Sequence, residues 1–327
     1  MLVIISILFK GSQVKKVLVA GGAGFLGSHL CERLLRKNCY VICVDNLYSS
    51  TKKNILPFLD NKNFEFILHD IIQPIFFEID EIYNLACAGS PEQYQRDPKQ
   101  TLKTSFLGAL NLLGLAKRKK ASYFFSSSSE VYGDAEVSPQ NESYWGKVNP
   151  IGKRACYDEG KRIAECLAFE YKNSDNISIK IGRLFNTFGP NMHIHDGRVI
   201  SNFICQALEN KPITIYGNGS QTRSFCYVQD TILGIEKLME SDNHISGPIN
   251  LGNNNEITVK TLAEIIIKMT NSKSDLKFCD LPEDDPKIRR PDLTLAKTVL
   301  DYSPTFTLEN GLKETIKYFS NELESSL

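Results

Sequence analysis

Apolar residues along this chain fall into two alternating periods. From Lys15 onward a nearly unbroken apolar run, Val17-Leu18-Val19-Ala20, leads into a glycine loop and then into Phe25, Leu26, Leu30, Leu34 and Leu35 at helical spacing. Tyr40-Val41-Ile42-Cys43-Val44 starts the cycle again. Unbroken apolar runs mark strands covered on both faces, and the intervening period of about 3.6 marks the helices that cover them. The pattern predicts further strands at Phe64 to Leu68, Ile82 to Leu85, Tyr123 to Ser126 and Ile177 to Ile181, with helices over 25–37, 99–118 and 154–172. Strand and helix alternating in this way predict an α/β fold, a doubly wound parallel sheet.

Beyond residue 183 the alternation loosens into loops rich in Gly, Pro, Asn and Asp around helical segments near 198–209, 229–240, 258–270 and 308–324. The expected organisation is an N-terminal extension over 1–14, a Rossmann-type nucleotide-binding domain over 15–183, and a smaller, mostly C-terminal substrate-binding lobe over 184–327. A strand from within 225–251 is expected to return to the first sheet. The apolar run Met1 to Phe9 is well short of the roughly 20 residues that span a bilayer. It has no basic segment before it and no Ala-x-Ala pattern after it, so neither a stable membrane span nor a secretory signal is expected.

Composition narrows the class. The 38 Lys+Arg balance 38 Asp+Glu, which argues against a nucleic-acid binder built on bulk positive charge. Nine cysteines, at 31, 39, 43, 87, 156, 166, 205, 226 and 279, form no C-x-x-C pair and predict reduced thiols in a cytoplasmic protein. His193 and His195 lack Cys, Asp or Glu neighbours at ligand spacing, so no metal is expected.

The chemistry concentrates at strand ends. Gly21-Gly22-Ala23-Gly24-Phe25-Leu26-Gly27 lies between the first strand and the first helix, where glycine lets backbone N–H groups approach a pyrophosphate at a helix N-terminus. Asp45 closes the second strand about 20 residues further on, placed to accept hydrogen bonds from ribose hydroxyls and to repel a 2′-phosphate. NAD is therefore expected over NADP, with Lys52 and Lys53 as the opposing feature. Asn46 follows Asp45, while Asp70 and Ile71, and Leu85 and Ala86, sit at the carboxyl edge where dinucleotides lie. Tyr157 and Lys161, four residues apart, share one helix face. A lysine there holds the nicotinamide ribose and lowers the tyrosine pKa toward a usable base. About 30 residues earlier, Ser126-Ser127-Ser128-Ser129-Glu130 ends a strand and offers a hydroxyl to share the substrate's proton with Tyr157.

Together the glycine motif, Asp45, the serine strand and Tyr157/Lys161 resemble the extended short-chain dehydrogenase/reductase superfamily over residues 15 to 320. Within it the chain is most similar to the UDP-glucuronate decarboxylases, through Ser129-Glu130-Val131-Tyr132-Gly133-Asp134, Asn149-Pro150-Ile151-Gly152, the segment Arg154 to Arg162, Phe185-Asn186-Thr187-Phe188-Gly189-Pro190, and the later runs Asp196 to Phe203 and Gly217 to Arg223. The resemblance implies that bound NAD+ oxidises the sugar C4 hydroxyl, carbon dioxide leaves from the resulting β-keto acid, and the hydride returns to give UDP-xylose. It makes Tyr157 the base, Lys161 its activator, Ser128 the hydroxyl partner, Glu130 a group that positions water or delivers the proton, and Arg223 a catalytic arginine near the sugar acid and phosphates. It further implies that Asn186, Arg198 and Arg290 hold the UDP moiety, that Tyr94 and Lys103 form the sugar-pocket wall, and that Tyr216 and Gln221 bind substrate.

The alternative within the superfamily is a nucleotide-sugar 4,6-dehydratase or 4-epimerase. A dehydratase calls for an aspartic acid where Ser129 stands, and simple 4-epimerases lack the Ser129-Glu130 pair. A cofactor-binding sensor without catalysis would have lost Tyr157 or Lys161, and both are present. Three positions depart from the decarboxylase pattern: Cys87-Ala88-Gly89 for Ser-Pro-Ala, Ser105 for Asn and Lys153 for Pro. A homodimer through the helices near 99–118 and 154–172 is also implied.

Overall fold

The computed structural model describes residues 14–280 and 289–325, so the N-terminal extension expected over 1–14 lies outside the described residues except for Val14. The first half runs β1 (Lys16–Ala20), α1 (Phe25–Arg36), β2 (Tyr40–Asp45), β3 (Phe64–Leu68), β4 (Glu81–Asn84), α2 (Pro91–Arg96), α3 (Pro98–Lys103), α4 (Ala109–Lys119), β5 (Ser122–Ser128), α5 (Ala155–Asp175) and β6 (Ile179–Leu184). The second half adds β7 (Thr187–Phe188), α6 (Val199–Leu208), β8 (Ile213–Tyr216), β9 (Thr222–Ser224), β10 (Cys226–Tyr227), α7 (Val228–Glu240), β11 (Ile249–Leu251), β12 (Glu256–Thr258), α8 (Val259–Thr270), β13 (Leu276–Cys279), α9 (Thr294–Leu300) and α10 (Leu308–Glu324).

Seven strands form one parallel sheet in the order β11-β6-β5-β4-β1-β2-β3. The strand β11 comes from the late segment and pairs in parallel with β6, Ile249 opposite Gly182. Pleating explains why these strands read as continuous apolar runs. Val17, Val19, Val41, Cys43 and Phe124 belong to the core on one face, whereas Leu18, Ala20, Ile42, Val44, Tyr123 and Phe125 belong to the core on the other. Leu30 and Leu34 of α1 and Ile232, Ile235 and Leu238 of α7 cover the first face, and Leu112, Leu113 and Ala116 of α4 with Ala164 and Ala168 of α5 cover the second. Each fully buried aliphatic side chain in these layers contributes roughly 1.5–3 kcal/mol.

The helix expected over 99–118 is interrupted. Between α3 and α4 the residues Thr104–Gly108 form a π-turn, at which a Cβ on Gly108 would stand 2.4 Å from Ile71 Cδ1. Apolar periodicity continues through the turn, so the break has no signature in the pattern; π-turns are enriched at functional sites, and Thr104 lines the cavity described below. The smaller strands pair outside the main sheet, β7 with β10, β9 with β12 and β8 with β13. The helices α2 and α9, at Pro91–Arg96 and Thr294–Leu300, are short elements that periodicity did not predict.

Candidate active site

The carboxyl ends of β1, β2, β4 and β5 open into a cavity of about 950 Å³ that the second half of the chain covers. Its floor is the glycine turn. Gly21 holds φ at +78°, and a Cβ on Gly27 would stand 2.0 Å from Gly21 O, so the chain closes on itself with no room for a side chain. The helix α1 starts at Gly24 with no side-chain cap and no acidic residue in its first turn, which leaves its first N–H groups and the positive end of its dipole toward the cavity. Gly21, Gly24, Phe25, Leu26 and Gly27 all line it.

Asp45 ends β2 in the cavity wall. Its Oδ2 accepts from Ala23 N at 3.0 Å, and its Oδ1 accepts from Leu47 N at 2.9 Å and from Ser50 Oγ at 2.7 Å. Burial raises its pKa, and these hydrogen bonds oppose the rise. Asp70 Oδ2 accepts from Asn46 Nδ2 and Gln100 Nε2, both at 3.0 Å, joining β3 to α3 beside Ile71, Leu85 and Ala86. A glycine cradle too tight for a Cβ, an uncapped helix start and an acid at the end of β2 fit a dinucleotide. Of the opposing lysines, Lys53 lies in the cavity wall, paired with Glu322 at 2.8 Å, and Lys52 stands over the Phe66 ring at 5.7 Å.

The end of β5 and the start of α5 carry the reacting groups. They are locked together by Glu165, which accepts from Ser127 Oγ at 2.5 Å and from Arg183 Nε and Nη2 at 2.9 and 2.8 Å. Tyr157 is buried, hydrogen-bonded to Ser128 and stacked on Tyr94 with ring centroids 4.9 Å apart. Lys161 Nζ donates to Ser126 O at 2.8 Å and lies 5.5 Å from the Tyr157 ring centroid. Burial pushes Tyr157 well above its ordinary pKa, with Cys87 adding to the rise and Ser128 opposing it. The expectation that Lys161 lowers Tyr157 is corrected here for the protein by itself, because desolvation of the phenolate dominates. Lys161, likewise buried, has its own pKa lowered by desolvation.

Glu130 follows Ser128 in a 3-10 turn over Ser129–Tyr132, whose start is capped by Ser128 Oγ accepting from Glu130 N at 3.2 Å. Two arginines grip it, Arg154 Nη2 on Oε2 and Arg289 Nη2 on Oε1, each at 2.6 Å. Desolvation raises the Glu130 pKa, but Arg289, Arg154 and Arg223 outweigh it and hold the carboxylate below its ordinary value. Arg223 is buried on β9 and lines the cavity with Asn186, Arg198, Tyr216, Gln221 and Tyr94. Arg198 makes a bidentate pair with Asp196, at 2.5 and 3.0 Å, and stands over the Phe25 ring at 5.7 Å.

Two expected substrate residues are placed elsewhere. Lys103 ends α3 exposed and is not among the residues that line the cavity, whereas Thr104, the next residue, is. Arg290 is also outside, its side chain 40% exposed and 3.4 Å from Glu256. Its neighbour Arg289 takes the inward place. Gln140 N donates to Arg290 O at 2.8 Å and Arg290 N donates to Gln140 Oε1 at 2.7 Å, which fixes an extended segment in which successive side chains point opposite ways. Arg154 and Arg289 are the site residues that motif reading missed; the Arg289-Arg290 pair was the available signal, without the register to choose between them. Of the departures, Cys87 Sγ lies 3.6 Å from Ser105 Oγ, and Cys87, Gly89 and Lys153 line the cavity. Among the described residues no cluster of three His, Cys, Asp or Glu could hold a metal ion.

A seven-stranded parallel sheet with Tyr157, Lys161 and Ser128 around one cavity defines a member of the extended short-chain dehydrogenase/reductase superfamily. Residues 18–315 match the family model of GDP-mannose 4,6 dehydratase. The chain is 50% identical over 310 residues to UDP-glucuronic acid decarboxylase 1 of Danio rerio, covering 95% of this chain and 74% of the relative. It is 50% identical over 299 residues to UDP-glucuronic acid decarboxylase 6 of Arabidopsis thaliana, covering 91% and 86%. Among solved structures, the UDP-glucuronic acid 4-epimerase from Bacillus cereus in complex with UDP-glucuronic acid and NAD superposes with a TM-score of 0.84 at 29% identity, over 94% of this chain and 99% of that one. The chain belongs to the UDP-glucuronic acid decarboxylase family.

Proposed function

We propose that this protein converts UDP-glucuronate to UDP-xylose and carbon dioxide with bound NAD. The observation that carries the reading is Glu130, clamped by Arg154 and Arg289 at 2.6 Å each, in the same cavity as Tyr157, Ser128 and Lys161. That gives one site a base for a sugar hydroxyl and a concentration of fixed positive charge for a sugar acid. When bound, NAD would supply the hydride acceptor and donor for C4.

The chain's own groups do the rest. Gly21 to Gly27 and the α1 N-terminus hold the pyrophosphate, Asp45 accepts from the adenosine ribose, and Lys161 orients the second ribose. Ser128 Oγ and the Tyr157 hydroxyl share the proton of the C4 hydroxyl. Asn186, Arg198, Gln221, Tyr216 and Arg223 bind the UDP portion and the sugar, and Tyr94 forms the wall behind Tyr157. A carboxylate substrate meeting Glu130 needs compensating cations, which Arg154, Arg289 and Arg223 provide.

The assembly that fits is a homodimer through α3 to α5, supported by exposed Leu102 of α3, Phe106 of the π-turn and Ile163 of α5 at 42%, 36% and 45%. A cytoplasmic location is supported by nine free cysteines. No helix among the described residues is long and apolar enough to cross a membrane. Incubating the protein with UDP-glucuronate and NAD+ tests the function: release of carbon dioxide with UDP-xylose is expected. Formation of the C4 epimer without carbon dioxide, or turnover of UDP-glucose instead, would replace this reading with the epimerase or dehydratase one.

A further inference from the structure

One buried amide joins the cofactor half of the cavity to the substrate half. Asn54, in the 3-10 turn Lys52–Phe58 after β2, is 8% exposed and lines the cavity. Its Nδ2 carries two hydrogens and donates to Ala23 O of the glycine turn at 3.1 Å and to Asn191 O of the loop after β7 at 3.3 Å. Asn191 is held by its side chain too, its Nδ2 donating to Ser28 Oγ at 3.0 Å, and Ser28 Oγ donates to Phe25 O at 3.0 Å. One residue earlier in the loop, Pro190 O lies 2.9 Å from His29 Nε2; a carbonyl only accepts, so the ring donates. The loop runs on to Arg198, which is paired with Asp196 and stands over the Phe25 ring at 5.7 Å, while His29 meets the same ring edge-on at 5.9 Å.

The two ligands of the proposed reaction thus share supports. Ala23 and Phe25 belong to the turn assigned to the NAD pyrophosphate, and the loop that carries Arg198, assigned to the UDP portion, is hydrogen-bonded to that turn through Asn54 and to the start of α1 through Ser28. A buried network of this kind is complete in one arrangement, and pulling the loop away would strand the Asn54 amide. Whichever ligand binds first fixes that arrangement for the other. Direct attraction between the ligands offers no such gain, because the pyrophosphates of NAD and UDP are both anionic and repel.

We propose that Asn54 is a positioning residue that couples the two halves of the site, so that NAD and the UDP-sugar each tighten the other's binding. The inference rests on the function proposed above. Because that reaction regenerates NAD in the site, coupling of this sign retains the cofactor while substrate is present. By linkage the factor is the same in both directions.

The test is calorimetry on the cofactor-free full chain with NAD+ and with UDP, which carries the pyrophosphate but no sugar to meet the nicotinamide. A wild type that fails to bind either ligand refutes the proposed function and this inference with it. If both bind, saturating UDP is expected to lower the NAD+ Kd about tenfold, and saturating NAD+ to lower the UDP Kd by the same factor. In Asn54→Ala the factor is expected to fall below about threefold. A purely structural role would weaken NAD+ binding equally with and without UDP and leave the factor at its wild-type value; that result, or a wild-type factor near one, overturns the proposal while leaving the proposed function standing. Should Asn54→Ala fail to fold, Ser28→Ala, which removes the hydroxyl that receives Asn191, decides by the same ratio: a fall below about threefold supports the coupling and an unchanged factor overturns it.

Discussion

Replacing Arg289 and Arg290 separately by Met sets the geometry of the site against the motif. Arg289 is 14% exposed and grips Glu130, itself 9% exposed, at 2.6 Å. Removing one partner of a buried ion pair costs about 3–5 kcal/mol when the other charge is left alone. Arg154 keeps its own 2.6 Å contact with Glu130, so the carboxylate is not left alone and the cost falls below that range, to about 2–3 kcal/mol. If Glu130 must stay in place for turnover, that loss corresponds to about 30–150-fold in kcat/KM. Arg290→Met removes only a 3.4 Å contact between a 40% exposed arginine and Glu256, and the backbone hydrogen bonds of Arg290 to Gln140 survive the change. An exposed pair of this kind is worth about 0–1 kcal/mol, so less than a fivefold effect is expected. Initial rates of carbon dioxide release at saturating NAD+, with thermal unfolding midpoints as a control for folding, give both values. An Arg290→Met loss equal to or larger than the Arg289→Met loss would refute the assignment of Arg289 as the inward residue.

Three further outcomes are expected. Tyr157→Phe keeps NAD binding, measured by cofactor fluorescence quenching, but loses turnover by about two to four orders of magnitude, since the hydroxyl shared with Ser128 is gone and the ring stacked on Tyr94 remains. Gly27→Ala puts a Cβ 2.0 Å from Gly21 O and 2.7 Å from Gly22 Cα, so the turn must open; NAD affinity measured by calorimetry is expected to fall about 100-fold or more while the circular dichroism spectrum is retained. For Glu236, burial raises the pKa but Arg33 and Lys37 outweigh it, and the net shift is downward. Its contribution is therefore present above the unfolded carboxylate value and lost as pH falls through the lower folded value. With Arg33 and Lys37 45% and 39% exposed, solvent screening limits the contribution; Glu236→Gln should cost about 1 kcal/mol in urea unfolding near pH 7 and progressively less as pH falls below the ordinary carboxylate value. A loss that stays the same as pH falls would mean that packing, not charge, is responsible.

What the sequence made legible follows from where each signal resides. The seven-stranded sheet was readable because burial on both faces imposes continuous apolar runs such as Val17 to Ala20 and Tyr40 to Val44, a signal local to each segment. The glycine turn was readable for a related reason, since its glycines answer to contacts within a few residues, Gly27 against Gly21 O above all. The π-turn at Thr104–Gly108 was not, because one extra residue in a turn leaves apolar spacing almost untouched. The short α2 and α9 span too few residues for a period to show.

Charge is where local reading stops. Glu130, Arg154 and Arg289 come from the end of a strand, the entrance to a helix and a segment 135 positions beyond that helix entrance, and only the closed fold brings them within 2.6 Å. Motif logic selected a cation at the Arg289-Arg290 pair, but the side that each residue faces is set by the pairing of that segment with Gln140, a tertiary contact. The same dependence governs the titrating groups. Spacing put Lys161 on the face of Tyr157 and suggested an activated phenol, whereas the structure adds desolvation of Tyr157, which acts in the opposite direction and dominates. A residue type and its interval thus define which groups can meet; the sign of their electrostatic coupling is decided by how much water the surrounding layers remove.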